Sequence, residues 1–196
     1  MTGKIIEAPY PALVIDDFFD PEFFNRLMRE SAALKKYHAY DDANARKKTS
    51  VPGGVSGIME DALCFMAASQ LTGNKVFPYK AHPDLSFYGA GVSIMQKGDF
   101  LKPHVDHAIN PVTGLTRVYN LLVYLTECEG GALRLIGDDA EFRLQPKPNR
   151  ACFFQSHGDA VHAVETVMGG ERVALSVYFY SEDFVPARKN TKAVFL

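Results

Sequence analysis

From about Ser86 the chain breaks into short apolar or alternating runs, and this texture constrains the fold more than any other feature. FYGAGVSIMQKG, TRVYNLLVYLTE, GALRLIG, AEFRLQP, RACFFQS, AVHAVETV and ERVALSVYFYS are separated by Gly, Pro, Asn and Asp. Runs this short, bounded by turn formers, read as strands of an antiparallel sandwich or barrel. Helical patterns precede them. Asp20-Pro21 is an Asx cap followed by proline at the first helical position, and Phe24, Leu27 and Met28 follow at helical spacing. A second helix is predicted over IMEDALCFMAASQLT, ending at Gly73. ALVIDDFF, residues 12–19, reads as a short opening strand.

Helices first and strands afterwards predict a mainly β fold with flanking helices. The expected form is a double-stranded β-helix, a cupin-like jelly roll, with an N-terminal helical layer. A chain of 196 residues is expected to be one domain over 1–196, with helical support about 1–85 and a jelly-roll core about 86–182. The polar stretch from about Tyr37 to Gly57 reads as a surface loop or a lid. The tail VPARKNTKAVFL reads as a surface extension.

Composition removes some function classes. A formal charge of −2 argues against a generally basic nucleic-acid surface. No apolar run reaches the ~18 residues of a membrane span, and the N-terminus lacks a signal-peptide pattern, so no membrane partner and a cytoplasmic location are expected. Cys64, Cys128 and Cys152 are an odd set without paired spacing, which fits reduced thiols.

The chemistry is carried by His104-Val105-Asp106, His162 and Arg172. His and Asp two apart in a strand project to one face. A His from a later strand completes a three-ligand face. Two His and one carboxylate with open positions left over suit non-haem Fe(II), although zinc accepts the same set. Arg172, ten residues after His162, supplies a planar cation for a co-substrate carboxylate. The other histidines lack this context. His157 has no strand around it, His107 falls on the face opposite Asp106, and His38 and His82 lie in the N-terminal half.

The ordered series GDFLKPHVD, TRVYNLLVYLTE, GGALRL, PKPNRACFF and VHAVETVMGGERVALSVYFY resembles the prolyl 4-hydroxylase-like branch of the Fe(II)/2-oxoglutarate dioxygenases, over about Ser86 to Glu182. The resemblance implies that His104, Asp106 and His162 bind iron. It implies that Arg172, Tyr124 and Ser176 contact 2-oxoglutarate, and that Arg117 faces the substrate. Members of this family often have Tyr nine residues before the first His ligand, where this chain has Met95, which implies that one co-substrate hydrogen bond is absent, or is supplied by another group such as Asn120 or Tyr119, or that the pocket is shaped differently. The implied reaction consumes O2 and 2-oxoglutarate, with ascorbate supportive, and hydroxylates a C–H bond while releasing succinate and CO2. The implied partners are amino-acid, peptide or protein substrates, with prolyl groups leading. The competing readings are a cupin-like metal binder without oxygenase activity, a silent binding module, and an oxygenase acting on a small metabolite. Asp106 argues against a halogenase, in which a small residue frees a site for halide.

Overall fold

A computed structural model of the chain describes residues 3–50, 57–68, 71–84, 86, 88 and 90–196. The first strands are β1 (Gly3–Ile6) and β2 (Ala12–Ile15). Helix α1 (Pro21–Ala33) follows, with Asp20 as its cap: the side chain accepts a hydrogen bond from the Phe23 amide at 3.0 Å. Leu27 and Ser31, one helical turn apart, are its buried residues. Then come β3 (Tyr37–Asp41), β4 (Ala45–Ser50), α2 (Gly57–Ala68) and β5 (His82–Pro83). The predicted second helix thus stops earlier than Gly73 within the described residues, and 69–70 lie outside them.

The strand-rich half opens with β6 (Gly91–Met95), β7 (Phe100–Val105) and β8 (Thr116–Tyr124). It continues through β9 (Cys128–Gly130), β10 (Leu133–Ile136), β11 (Glu141–Leu144), β12 (Ala151–Gln155), β13 (Val161–Val164), β14 (Val167–Gly170) and β15 (Arg172–Ser181), and β16 (Val194–Phe195) closes the chain. Fourteen of these strands form one curled antiparallel sheet, whose main path is β1-β2-β12-β8-β15-β6-β4-β7-β13-β10-β11. This is the mainly β jelly roll expected from the sequence.

All nine residues of β8 are buried, because β8 is central and covered on both faces. Tyr119, Leu121 and Val123 join the outer cluster with Leu27 of α1 and Met66 of α2. Phe77, Phe153 and Phe179 meet edge-on within that cluster, with ring centroids 4.7 and 5.1 Å apart. Each such ring fully buried contributes roughly 1.5–3 kcal/mol. Leu122 and Tyr124 point the other way, into the space between the curled sheet's two halves.

Two N- and C-terminal expectations are corrected. The polar stretch after Tyr37 is not a loop through residue 50 but a hairpin, β3–β4, and its residues 51–56 lie outside the described set. β4 links β6 and β7, pairing Lys48 with Ile94 and Ala45 with Leu101. The tail is not only a surface extension either, since β16 pairs with β7, Phe195 opposite His104. No helix is long and apolar enough to cross a membrane among the described residues, and the three cysteines are free.

Candidate metal centre and its cavity

β7 and β13 are adjacent antiparallel strands, and His104 and His162 are direct cross-strand partners. Their rings lie 4.3 Å apart between centroids. Asp106 follows β7 directly, two residues after His104, and turns back to the same face. Its Oδ1 is 3.7 Å from His104 Nε2, and its Oδ2 is 3.6 Å from His162 Nε2. One ligand atom from each of the three lies within 4.8 Å of the others. Among the described residues this is the cluster of His, Cys, Asp or Glu that could hold a metal ion.

The imidazole orientations are set from behind. His104 Nδ1 lies 2.9 Å from the Lys102 carbonyl and His162 Nδ1 lies 3.3 Å from the Ala160 carbonyl. A carbonyl only accepts, so Nδ1 carries the proton and the Nε2 lone pair faces the centre. Burial, followed by repulsion from His162, pushes the His104 pKa down to about 4, so the ring is neutral at neutral pH. Burial alone would raise the Asp106 pKa, but the Arg117 cation and the two imidazoles outweigh it and hold the carboxyl well below its ordinary range. Imidazole nitrogens and an anionic oxygen converging on one point fit a divalent cation.

Arg117 is placed differently from the sequence expectation. It is 1 % exposed and sits behind Asp106, not on the wall of the main cavity. Its Nη1 is 2.8 Å from Asp106 Oδ2, a close ionic contact rather than an aligned hydrogen bond. Its Nη2 lies 2.6 Å from His107 Nε2 and 3.3 Å from the Tyr180 hydroxyl, and its guanidinium lies 3.4 Å from the Tyr178 ring centroid. Burial and the Arg117 charge push the His107 pKa down to about 3, leaving a neutral ring that accepts from Arg117. A register shift explains the direction of the side chain. Tyr119 pairs with Phe179 but Arg117 pairs with Tyr180, so β8 bulges at Val118 and Arg117 shares the inner face with Tyr124.

The three clustered residues open onto a cavity of about 610 Å³. Of the residues the resemblance assigns to 2-oxoglutarate, Arg172, Asn120 and Ser176 line it and Tyr124 does not. Arg172 is 2 % exposed; its Nε donates to the Gly131 carbonyl at 2.9 Å and its Nη1 approaches the Met95 sulfur at 3.7 Å. Gly131 permits this packing, since its φ is +64° and a Cβ there would lie 3.1 Å from Arg172 Cδ. Arg172 Nη2 and the Tyr124 hydroxyl are both buried without a hydrogen-bond partner, as is Asn120 Oδ1. Burial pushes the Tyr124 pKa up to about 12, with Arg172 pulling against it, so the hydroxyl is a donor. Arg172 Nη2, an unpartnered cationic donor on the cavity wall, suits a carboxylate, because a buried donor left unpaired costs about 1–3 kcal/mol; Tyr124 is fully buried and does not line the cavity.

Tyr119 does not supply a contact in place of the missing tyrosine. It faces the outer cluster, where its hydroxyl accepts from the Tyr79 amide at 2.9 Å. Asn120 is on the cavity side, as strand alternation requires. His38, Tyr40, Lys47 and Thr49 of the hairpin and Phe195 of the tail also line the cavity; the sequence offered the stretch from Tyr37 as a lid or substrate-facing segment without singling out these residues. The signal available for the hairpin was weak: ARKKTS alternates, but without apolar residues on either face.

Residues 90–180 match the model of the 2OG-Fe(II) oxygenase superfamily, a span holding the His104/Asp106/His162 cluster and Arg172. No match is found among curated protein sequences. Among solved structures, a Pseudomonas putida prolyl-4-hydroxylase is 18% identical over 87% of this chain and 92% of its own, with a TM-score of 0.66. A prolyl hydroxylase from Trichoplax adhaerens, in complex with a hypoxia inducible factor oxygen degradation domain peptide fragment, is 16% identical over 87% and 84%, with a TM-score of 0.66. A Burkholderia pseudomallei oxidoreductase of the 2OG-Fe(II) oxygenase family is 19% identical over 92% and 88%, with a TM-score of 0.60. At these identities the structural likeness is one of fold.

Proposed function

We propose that the chain, whose residues 90–180 match the 2OG-Fe(II) oxygenase superfamily, is a dioxygenase that hydroxylates a prolyl or other amino-acid or peptidyl substrate. The observation that carries the reading is that the His104/Asp106/His162 cluster and Arg172 line one cavity, with Arg172 Nη2 buried and unpartnered. A simple metal binder has no use for a buried cation there.

His104, Asp106 and His162 would hold Fe(II), which when bound supplies the oxidation of a C–H bond with O2 and 2-oxoglutarate, ascorbate acting as a supporting reductant. The Nδ1 contacts behind the two imidazoles keep their Nε2 atoms aimed at the metal. Arg117 neutralises the back of Asp106 and fixes the carboxylate's direction. Arg172 binds the far carboxylate of 2-oxoglutarate, and Asn120 and Ser176 contact it from the same wall. Met95 presents a thioether to Arg172 where relatives place a hydroxyl, so Arg172 carries that contact. The apolar side chains Leu122, Leu133 and Phe154 line the cavity and limit water around the reacting centre. The Trichoplax neighbour holds a peptide, which supports a peptidyl substrate for this chain.

The test is a succinate-release assay with Fe(II), 2-oxoglutarate and ascorbate over amino acids and prolyl peptides. Asp106→Ala is expected to abolish succinate release. Arg172→Ala is expected to raise the 2-oxoglutarate requirement, with the metal site retained. Undiminished succinate release by the Asp106 variant would sink the mechanism.

A further inference from the structure

β4 alternates across the sheet edge. Ala45, Lys47 and Thr49 line the cavity, while Arg46 and Lys48 are exposed. Across the hairpin, Tyr40 is the partner of Lys47 and His38 the partner of Thr49, and both also line the cavity. Cross-strand partners share a face, so the hairpin presents a polar inner face to the metal centre.

The two neighbouring cations differ in how they are matched. Arg46 pairs with Asp41 at 3.1 Å on the outer face. Lys47 has no carboxylate partner and no hydrogen bond among the described residues; its ammonium lies 5.5 Å from the Tyr40 ring centroid. Burial and the like charges of Arg172 and Arg117 work against this ammonium, and Asp106 works for it. Asp106 is already matched by Arg117 at 2.8 Å. The other acid lining the cavity, Asp42, uses Oδ1 to accept from the amides of Asn44 and Ala45 at the hairpin turn. Thr49 Oγ1, two residues along the same face, is buried without a partner. Arg172 lines the same cavity, and a dicarboxylate co-substrate held by Arg172 and the metal leaves Lys47 unmatched.

We propose that the substrate carries a carboxylate, and that Lys47 binds it with Thr49 beside it on the hairpin face. The proposal rests on the oxygenase reading of the cavity. The carboxylate comes either from a free amino acid or from an acidic residue of a peptide. Both sources present the same planar anion to a point cation and a hydroxyl donor.

The experiment crosses enzyme variants with substrate variants. Wild type, Lys47→Met and Lys47→Arg are assayed with L-proline against L-prolinamide, and with an acetylated Pro-Glu peptide amide against its Gln counterpart. In the wild type the carboxylate form is expected to be favoured by about tenfold in kcat/KM, in the free amino acid or in the peptide according to the source. Lys47→Met is expected to erase that preference and Lys47→Arg to keep it. A preference that survives in Lys47→Met overturns the proposal. So does a rise in the 2-oxoglutarate KM of Lys47→Met with substrate preference unchanged, which assigns Lys47 to the co-substrate. Binding is read separately, by NMR of the Lys47 and Thr49 amides of the full chain titrated with the same four probes. Carboxylate-specific shifts, lost in Lys47→Met, support the site even if no succinate forms and the oxygenase reading fails. Absence of such shifts with both carboxylate probes overturns it.

Discussion

Replacing Arg117 with methionine isolates the electrostatics behind the metal centre. The guanidinium and the Asp106 carboxylate are 2.8 Å apart, with side chains only 1% and 9% exposed. At an effective dielectric constant of about 20, two unit charges at that distance attract by roughly 6 kcal/mol before desolvation. Removing one partner leaves the other charge buried and unmatched, a change that costs about 3–5 kcal/mol. The stacking on Tyr178 at 3.4 Å adds to the loss. For a chain of this size the metal-free variant is expected to melt about 6–20 °C lower. A divalent cation at the triad restores positive charge beside Asp106, so saturating Mn(II) is expected to raise the melting temperature of the variant by more than that of the wild type. The assay is urea unfolding with and without EDTA, for Arg117→Met, Asp106→Asn and the double variant. The double variant removes both charges and is expected to be less destabilised than the sum of the singles by at least about 1.5 kcal/mol. Additivity within about 0.5 kcal/mol would refute the pairing argument, because charges that do not interact cannot compensate.

Two further outcomes follow from the chain's edges. Deleting residues 191–196 removes β16 from β7 and Phe195 from its position 5.3 Å from the His104 ring. EDTA should then extract Co(II) severalfold faster, with little change in urea midpoint; an unchanged extraction rate would mean that the tail does not cover the metal. Asp16 is held down to about 2 by Arg150 first, against burial, and then by Lys147. A carboxyl depressed in the folded state contributes stability above its unfolded value of 3.8, which is lost as pH falls from there through about 2. Asp16 is 39% exposed, so Asp16→Asn should cost under about 1 kcal/mol at neutral pH. The difference should shrink at about pH 3; the same loss at both pH values would show that the carboxylate charge is not its source.

The jelly roll and the metal cluster were legible because both are imposed by chemistry that restricts residue type. Short runs such as LRLI and VHAV, bounded by turn formers, have few alternatives to strands. A His and an Asp two apart and a His on the neighbouring strand are what an open three-ligand site needs. The hairpin was illegible for the opposite reason. One face of β4 meets solvent and the other lines a polar cavity, so neither Ala45-Lys47-Thr49 nor Arg46-Lys48 leaves an apolar trace. The tail pairs through two residues only, below what any periodicity can register. Arg117 depends on a bulge: counted along a regular strand it falls opposite Tyr124, and the shift at Val118 returns it to the inner face. Such a shift is set by packing across β8 and β15, not by local propensity.

These differences in legibility follow the division of labour in the molecule. The metal-facing residues and Arg172 lie between residues 90 and 180, on β7, β13 and β15 or just beyond, where cross-strand register fixes their spacing. A site built on ladder register tolerates little movement, since a one-residue slip sends each side chain to the other face. The cavity lining also draws on residues outside that span, from β3–β4 before it and β16 after it. β3 and β16 each pair with a single neighbour, whereas β4 joins β6 to β7. A substrate carboxylate held, as proposed, by Lys47 thus puts substrate choice outside the span that holds the candidate ligands. Lys47 lines the cavity from β4, and its charge can change what is bound while the ligand geometry on β7 and β13 stays as it is.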